Sequence, residues 1–177
     1  MNLIYETADS GQPLIRIDEP EFSALLSFRG AQLIQFTAKS SNREMFWTQS
    51  DQKVTSGLPV RGGLPIVFPW FGPSGKDGFP QHGFARNLAW DLVENSKNSL
   101  TFELRSSAMT WPIWPCQFIL RLTYSFSATG VDVSAVISNT SDNSFDAEFL
   151  LHPYFAVSEL DGVTVSSLNE IGYFDKL

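Results

Sequence analysis

The amino-acid sequence predicts an antiparallel β-sandwich. From Phe118 to Phe126, apolar and polar residues alternate with the period of two that is typical of a half-buried strand. A turn at residues 128–130 joins this run to a second alternating run at residues 131–138, which indicates an antiparallel hairpin. No window of helical length keeps an apolar stripe at 3.6-residue spacing. Short strands separated by Gly, Pro, Asn and Ser turns favour a sandwich over an α/β fold.

The other candidate strands follow from the same criteria. In chain order they are residues 14–17, 22–28, 32–37, 88–93, 99–104, 145–152 and 163–166. The sequence shows no internal repeat, no low-complexity tract and no linker. We therefore expect residues 1–177 to form a single β-sandwich domain.

Composition limits the partners and the compartment. The 177 residues carry a formal charge of −7, whereas nucleic acids and anionic membranes attract basic surfaces, so we expect neither as a partner. A small anion remains an option, because two or three local arginines suffice to bind it. The first residues lack a basic n-region and a long apolar run, and no stretch approaches a membrane span. A cytoplasmic location is the expectation.

Cysteine and histidine are scarce. Cys116 is the single cysteine, which excludes an internal disulfide, and two histidines argue against a histidine-rich zinc site. We therefore expect no metal.

The segment RGGLPIVFPWFG, residues 61–72, followed by QHGFAR, residues 81–86, is the most unusual part of the chain. Its Gly and Pro content forces turns, and it shows neither helical nor strand periodicity. One interpretation is a structural plug, because aromatic residues are usually buried for packing. Arg61 and Arg86 favour a ligand site instead, because charged guanidinium groups need acceptors or water.

The predicted strand at residues 145–152 has two different faces. Side chains alternate across a strand, so the even-numbered residues, which include Asp146, Glu148 and His152, share one face. A histidine at a strand end is more often structural than catalytic. The polar face nevertheless favours a cleft lined by His152.

These motifs resemble a known family. RGGLPIVFPWFG, QHGFARN with the tryptophan of NLAW, and LLHPYF resemble the aldose 1-epimerase superfamily, in particular its hexose-6-phosphate mutarotase (glucose-6-phosphate 1-epimerase) branch; GAQLIQF, EMFW and IGYFDK fit in the same order. The resemblance implies an all-β fold, a large antiparallel sandwich of the galactose mutarotase-like supersandwich type whose C-terminal strands are missing here. It also implies an isomerase that interconverts α and β anomers of a hexose 6-phosphate without metal or organic cofactor.

The resemblance also implies roles for individual residues. His152 matches the general acid, and His82 matches a second catalytic histidine near C1 or the ring oxygen. Arg61, Gln81 and Arg86 match substrate-binding positions, with both arginines placed for the phosphate. A guanidinium fork suits phosphate oxygens, and such contacts are charge-assisted.

The chain departs from the family after the YFDK segment. In the family, the general base is a glutamate beyond this segment, and a substrate-binding aspartate also follows it. The sequence ends at Leu177 and contains neither. Three explanations are open: a fragment of a longer enzyme, a natural short form without catalysis, or a substitute carboxylate, for which Asp146 and Glu148 are the candidates. We expect the chain as given to be a weak mutarotase or none.

Alternative functions come from two other classes. A sugar-phosphate binding protein would keep both arginines without turnover, and a β-sandwich interaction module would need no small ligand. Exposed strand edges also predict self-association or a protein partner. Trp70 and Trp111 could stack on a sugar, but packing roles are the stronger expectation for both.

Overall fold

The computed structural model describes residues 1–49, 60–167 and 170–172. Its described part is almost entirely β-structure. The strands are β1 Leu3–Thr7, β2 Pro13–Asp18, β3 Phe22–Ser27, β4 Leu33–Ala38, β5 Arg43–Glu44, β6 Ile66–Val67, β7 Asp91–Asn95, β8 Ser99–Arg105, β9 Phe118–Phe126, β10 Val131–Asn139 and β11 Leu150–Leu151. The helical structure in these ranges is a 3-10 turn at Ala85–Asn87, which is too short to cross a membrane.

The strands form two main antiparallel sheets and one small pair. The first sheet has the order β1-β2-β3-β4-β5, and the second has the order β10-β9-β8-β7. Strands that are consecutive in the chain are neighbours in both sheets, so short turns are sufficient to connect them. β6 pairs with β11 separately. The predicted all-β antiparallel architecture is confirmed.

The core lies between the two main sheets. On β9 every second residue is buried, and the residues between them are partly or fully exposed, as the alternation predicts. Phe126 stacks on Phe22 and Phe36 of the first sheet at ring-centroid distances of 5.4 and 6.2 Å. The buried hydroxyl of Tyr124 donates to the carbonyl oxygen of Ala31 at 2.7 Å. Burial raises the pKa of Tyr124 well above its ordinary value, so the hydroxyl stays a donor.

Most predicted strands lie within a residue or two of the observed bounds, but the prediction at residues 88–93 is shifted. Trp90 donates its N–H to Phe28, and Gly30 donates to Leu88, so residues 88–90 bond to the end of the first sheet. β7 therefore begins only at Asp91, where pairing with β8 starts. The short strands β1, β5 and β6 were not predicted.

The prediction of a long strand at residues 145–152 is wrong as stated. Regular pairing is limited to β11, because the facing segment contains Pro65 and Pro69, which have no N–H to donate. The chain is still extended here: Glu148 and His152 donate their backbone N–H groups to Pro69 and Pro65, respectively. Even-numbered residues thus share one side, as the sequence predicts.

The predicted strand at residues 163–166 is absent from the structure, although these residues are described. The side chains of Val163 and Val165 are 47% and 72% exposed. Alternating apolar residues form a strand only when a neighbouring strand supplies hydrogen bonds, and no described strand pairs with this segment. β10 likewise has one neighbour among the described strands, β9, and self-association through such edges stays a prediction. The YFDK part of the closing motif lies outside the described residues.

Residues 61–86, here called the wall, contain little regular structure. Residues 62–69 are nevertheless continuously buried and include the two-residue strand β6. Gly62 and Gly83 have φ of 108° and 71°, which favour glycine. A Cβ on Gly83 would lie 2.0 Å from the carbonyl oxygen of Phe68, and one on Gly62 would lie 2.3 Å from that of Trp47. These glycines therefore make room for neighbouring backbone.

Candidate functional site

The wall and the segment after β11 bring the two histidines together. The ring centroids of His82 and His152 are 6.2 Å apart, although the residues are distant in the sequence. His82 belongs to the wall, whereas His152 directly follows Leu150–Leu151 of β11. A hexose ring is about as wide as this separation, so one sugar could contact both imidazoles.

His152 is positioned by backbone hydrogen bonds to the wall. Its N–H donates to the carbonyl of Pro65 at 3.0 Å, and the N–H of Tyr154 donates to Gly63 at 2.9 Å. Bonding at every second residue places the side chains of His152 and Tyr154 on the same side of an extended chain. Their ring centroids are 5.2 Å apart.

His82 has an unusual backbone conformation, with φ at 64°, which few non-glycine residues adopt. Two hydrogen bonds to Gly72 support it: the N–H of His82 donates to the Gly72 carbonyl at 2.7 Å, and the Gly72 N–H donates to Nδ1 of His82 at 3.0 Å. A ring nitrogen that accepts a hydrogen bond carries no proton. The neutral imidazole therefore holds its proton on Nε2.

Aromatic rings extend the histidine pair on both sides. Phe71 lies 5.0 Å from the His82 ring, and Trp47 lies 6.1 Å from the Tyr154 ring, measured between centroids. The Trp47 side chain is 47% exposed. The resulting row, Phe71, His82, His152, Tyr154 and Trp47, is here called the ring row.

Sequence reasoning missed Trp47 and Tyr154 as members of this site. Both belong to quoted motifs, EMFW and LLHPYF, but nothing in those motifs indicates that they are adjacent. Trp70 instead packs against Phe79 and donates its Nε1–H to the carbonyl of Pro80, so the expected packing role is confirmed. Trp111 lines a separate cavity of about 440 Å³.

Arg86 is a half-buried cation beside the ring row. Its Nη2 donates to the backbone carbonyl of Gln81 at 2.9 Å, whereas its buried Nε has no hydrogen bond within the described residues. Burial lowers the pKa of Arg86, and the nearby Tyr154 partly offsets this. A guanidinium remains protonated at neutral pH. The described residues thus leave this cation without a carboxylate partner.

Arg61 and Gln81 are both exposed. The carbonyl of Arg61 accepts a hydrogen bond from the N–H of Gln49 at 3.1 Å, and Gly63 donates to Trp47 at 2.8 Å. The backbone of Arg61 is therefore tied to the Trp47 end of the ring row. Gln81 is linked to Arg86 through its backbone carbonyl. Substrate binding by Arg61 and Gln81 stays a prediction.

The two candidate carboxylates differ in their surroundings. Both side chains are exposed, but Oε2 of Glu148 accepts a hydrogen bond from the N–H of Phe71 at 2.5 Å, and the Asp146 carboxylate accepts none from the described residues. Glu148 thus already has a donor in the wall. Within residues 1–49, 60–167 and 170–172, no three His, Cys, Asp or Glu side chains cluster as metal ligands.

Comparisons with known proteins agree on one family. A family model described as aldose 1-epimerase matches residues 13–176. A protein from Escherichia coli (strain K12), provisionally named glucose-6-phosphate 1-epimerase, is 34% identical over 168 residues, which cover 93% of this chain and 55% of that protein. The chain spans about half the length of the curated relatives it matches first.

Solved structures show the same relationship. A provisionally named mutarotase from Salmonella typhimurium is 34% identical with a TM-score of 0.66, over 76% of this chain and 46% of that one. A galactose mutarotase-like protein from Lactobacillus casei ATCC 334 is 29% identical with a TM-score of 0.71, over 84% and 52%. With a matching family model over most of its length, the chain belongs to the aldose 1-epimerase family.

Proposed function

We propose that this site contributes to interconversion of the α and β anomers of a hexose 6-phosphate. The observation that carries the proposal is the pair of imidazoles 6.2 Å apart, beside the half-buried cation Arg86. Family membership supports an isomerase acting on sugars. The names of the relatives support a 6-phosphate, and an arginine that has no carboxylate partner among the described residues suits that anion.

The reaction needs one acid and one base. The acid protonates the ring oxygen while the base removes the proton from the C1 hydroxyl, and the bond between C1 and the ring oxygen breaks to give an aldehyde. Rotation about the C1–C2 bond presents the other carbonyl face. The C5 hydroxyl then attacks C1, and both proton transfers reverse, so atoms and charge balance.

His152 is the acid in this proposal, because an imidazole can hold and release a proton near neutral pH. His82 donates its Nε2–H to a sugar oxygen near C1, since Nδ1 is occupied by Gly72. Arg86, with Gln81 and Arg61, binds the phosphate at the other end of the sugar. Tyr154 and Trp47 supply flat faces along the ring row.

Asp146 and Glu148 are the candidate bases among the described residues. Glu148 uses Oε2 to hold the Phe71 N–H, and we assign it that role rather than proton transfer at C1. A single general acid or base contributes about 10²–10⁴-fold to a rate. We therefore propose that the described residues supply acid catalysis and binding, and that their acceleration stays within this range.

Exchange NMR of glucose 6-phosphate tests this proposal. Cross peaks between the α and β H1 signals report the anomerisation rate without a coupled enzyme. We expect the chain to exceed the rate in buffer, and His152→Gln to return it to the buffer rate. Asp132→Asn, a change at an exposed carboxylate on β10, is the control and should keep the wild-type rate.

The rival function, a non-catalytic sugar-phosphate binding protein, is supported by Arg86, whose binding role does not depend on a base. Binding of glucose 6-phosphate with anomer exchange at the buffer rate would favour that rival. If the chain shows neither binding of glucose 6-phosphate nor accelerated anomer exchange, both proposals are contradicted and the site is a structural feature.

A further inference from the structure

Glu148 and His82 are connected through two consecutive peptide N–H groups of the wall. The N–H of Phe71 donates to Oε2 of Glu148 at 2.5 Å, and the N–H of the next residue, Gly72, donates to Nδ1 of His82 at 3.0 Å. Glu148 and His82 therefore bind the same short piece of backbone. They come from different segments, so the fold alone creates this connection.

The conformation of the backbone between Glu148 and His82 is restrained. Gly72 has φ of 79°, a conformation suited to glycine, and its carbonyl accepts the N–H of His82 at 2.7 Å. The backbone N–H of Glu148 also donates to the carbonyl of Pro69, two residues before Phe71. The carboxylate and the backbone N–H of Glu148 thus both bond to the segment Pro69–Phe71, which immediately precedes Gly72. Moving the Glu148 carboxylate would remove this acceptor from the Phe71 N–H.

We propose that Glu148 is a positioning residue that keeps the proton of His82 on Nε2. Its carboxylate holds the Phe71 N–H, which orients the following N–H of Gly72 toward Nδ1 of His82. Nδ1 then remains an acceptor, and Nε2 remains the donor. Glu148 acts through the peptide and makes no contact with the reacting atoms.

This assignment changes the interpretation of Glu148 as a substitute base. A carboxylate that accepts from a peptide N–H at 2.5 Å is engaged in a charge-assisted bond, which is stronger than a neutral one. The tautomer of His82 does not depend on the proposed function. Its consequence for turnover does rest on that function, because only then does the Nε2–H face a sugar oxygen.

Nitrogen-15 NMR of the imidazoles measures the tautomer directly. The chain contains only two histidines, so the ring nitrogens of each can be assigned with His152→Gln. At a pH where both imidazoles are neutral, we expect the wild-type His82 to show a protonated Nε2 and an unprotonated Nδ1. A protonated Nδ1 in the wild type would overturn the proposal.

Variants of Glu148 separate its acceptor role from its charge. Glu148→Gln keeps an oxygen that can accept from Phe71, so we expect it to retain the Nε2–H tautomer. Glu148→Ala removes the acceptor and should raise the minor tautomer about threefold to tenfold, the effect of one ordinary hydrogen bond. Asp146→Ala, two residues earlier, is the control and should leave the tautomer unchanged. An unchanged tautomer in Glu148→Ala would contradict the proposal.

The same spectra report whether the fold survives. His152 resonances at their wild-type positions in Glu148→Ala show that the pairing with Pro65 is intact. If Glu148→Ala does not fold, Glu148→Asp is used to test the proposal. Its shorter side chain moves the carboxylate away from the Phe71 N–H while keeping the negative charge. It should shift the tautomer ratio toward Nδ1–H, and an unchanged ratio would overturn the proposal.

Anomer exchange on the same variants separates this proposal from the proposed function. If both hold, Glu148→Ala lowers the catalysed rate and Glu148→Gln restores it. A tautomer change in a chain without anomerase activity would contradict the proposed function alone. Wild-type activity in Glu148→Ala with an unchanged tautomer would contradict the positioning role alone.

Discussion

The second sheet and the wall pack against the same core, but they depend on different features of the sequence. In the sheet, β9 needs only an apolar residue at every second position, and many side chains satisfy that requirement. In the wall, glycine at position 83 is required because neighbouring backbone occupies the space of a Cβ. The sheet thus accepts different apolar side chains of similar volume, whereas in the wall a single added Cβ atom would clash with neighbouring backbone.

The candidate functional groups belong to the wall or are bonded to it. His82 and Arg86 belong to the wall, and His152 is held by hydrogen bonds to it. Loops carry binding groups more often than strands do, provided a rigid scaffold positions them. Here close backbone contacts supply the rigidity that a regular ladder supplies in the sheet.

The largest expected effect comes from the sheet. Phe102 is fully buried on β8, so Phe102→Ala should lower the free energy of unfolding by about 3–5 kcal/mol through lost burial and a cavity. Val93→Ala, at a residue that is 43% exposed on β7, should change it by less than about 1 kcal/mol. Urea unfolding followed by circular dichroism measures both. A similar loss in the two variants would contradict the assigned core.

Two glycines with nearly the same conformation test the wall. Gly83 and Gly75 have φ of 71° and 74°, but only Gly83 has backbone where a Cβ would stand. Gly83→Ala should cost about 2–4 kcal/mol from strain and overpacking, whereas Gly75→Ala should cost about 1 kcal/mol from strain alone. Thermal and urea unfolding compare them. Equal costs would show that conformation alone, and not close contact, explains the wall glycines.

Arg86 provides a prediction on binding. A charge-assisted contact to phosphate contributes about 1.5–3 kcal/mol, so Arg86→Ala should weaken binding of glucose 6-phosphate roughly tenfold or more. Arg105→Ala removes an arginine that bonds Glu103 on the second sheet and should leave binding unchanged. Calorimetric titration with glucose 6-phosphate and with glucose distinguishes the phosphate contribution. Equal affinity for the two sugars would rule out a phosphate site.

The smallest expected effect is at Trp47. Trp47 and Trp111 are similarly exposed, at 47% and 49%, but only Trp47 adjoins the ring row. If it offers a face to the sugar, Trp47→Ala should weaken binding about threefold, and Trp111→Ala should not. The same titration measures both variants. A loss in Trp111→Ala alone would place the sugar at the separate cavity.

The sequence predicted the regular part of the fold better than the site. Alternation located β9 and β10 to within one residue, because each period-two run there finds a partner on the same hairpin. The same criterion failed at residues 163–166, which have no described partner. Family motifs pointed to His82 and His152 together, but not to Trp47, whose neighbour Tyr154 is distant in the chain.

The sequence by itself determined the fold class and family, since the strand alternation and the glycine-rich motifs are local patterns. It also pointed to His82 and His152 as candidate site residues, and the fold brings these two together. Only the tertiary structure decided that Glu148 binds the Phe71 N–H, that Nδ1 of His82 is an acceptor, and that Gly83 faces the Phe68 carbonyl. None of these contacts joins residues that are neighbours in the chain. Their geometry depends on how the sheets pack, which no local pattern specifies.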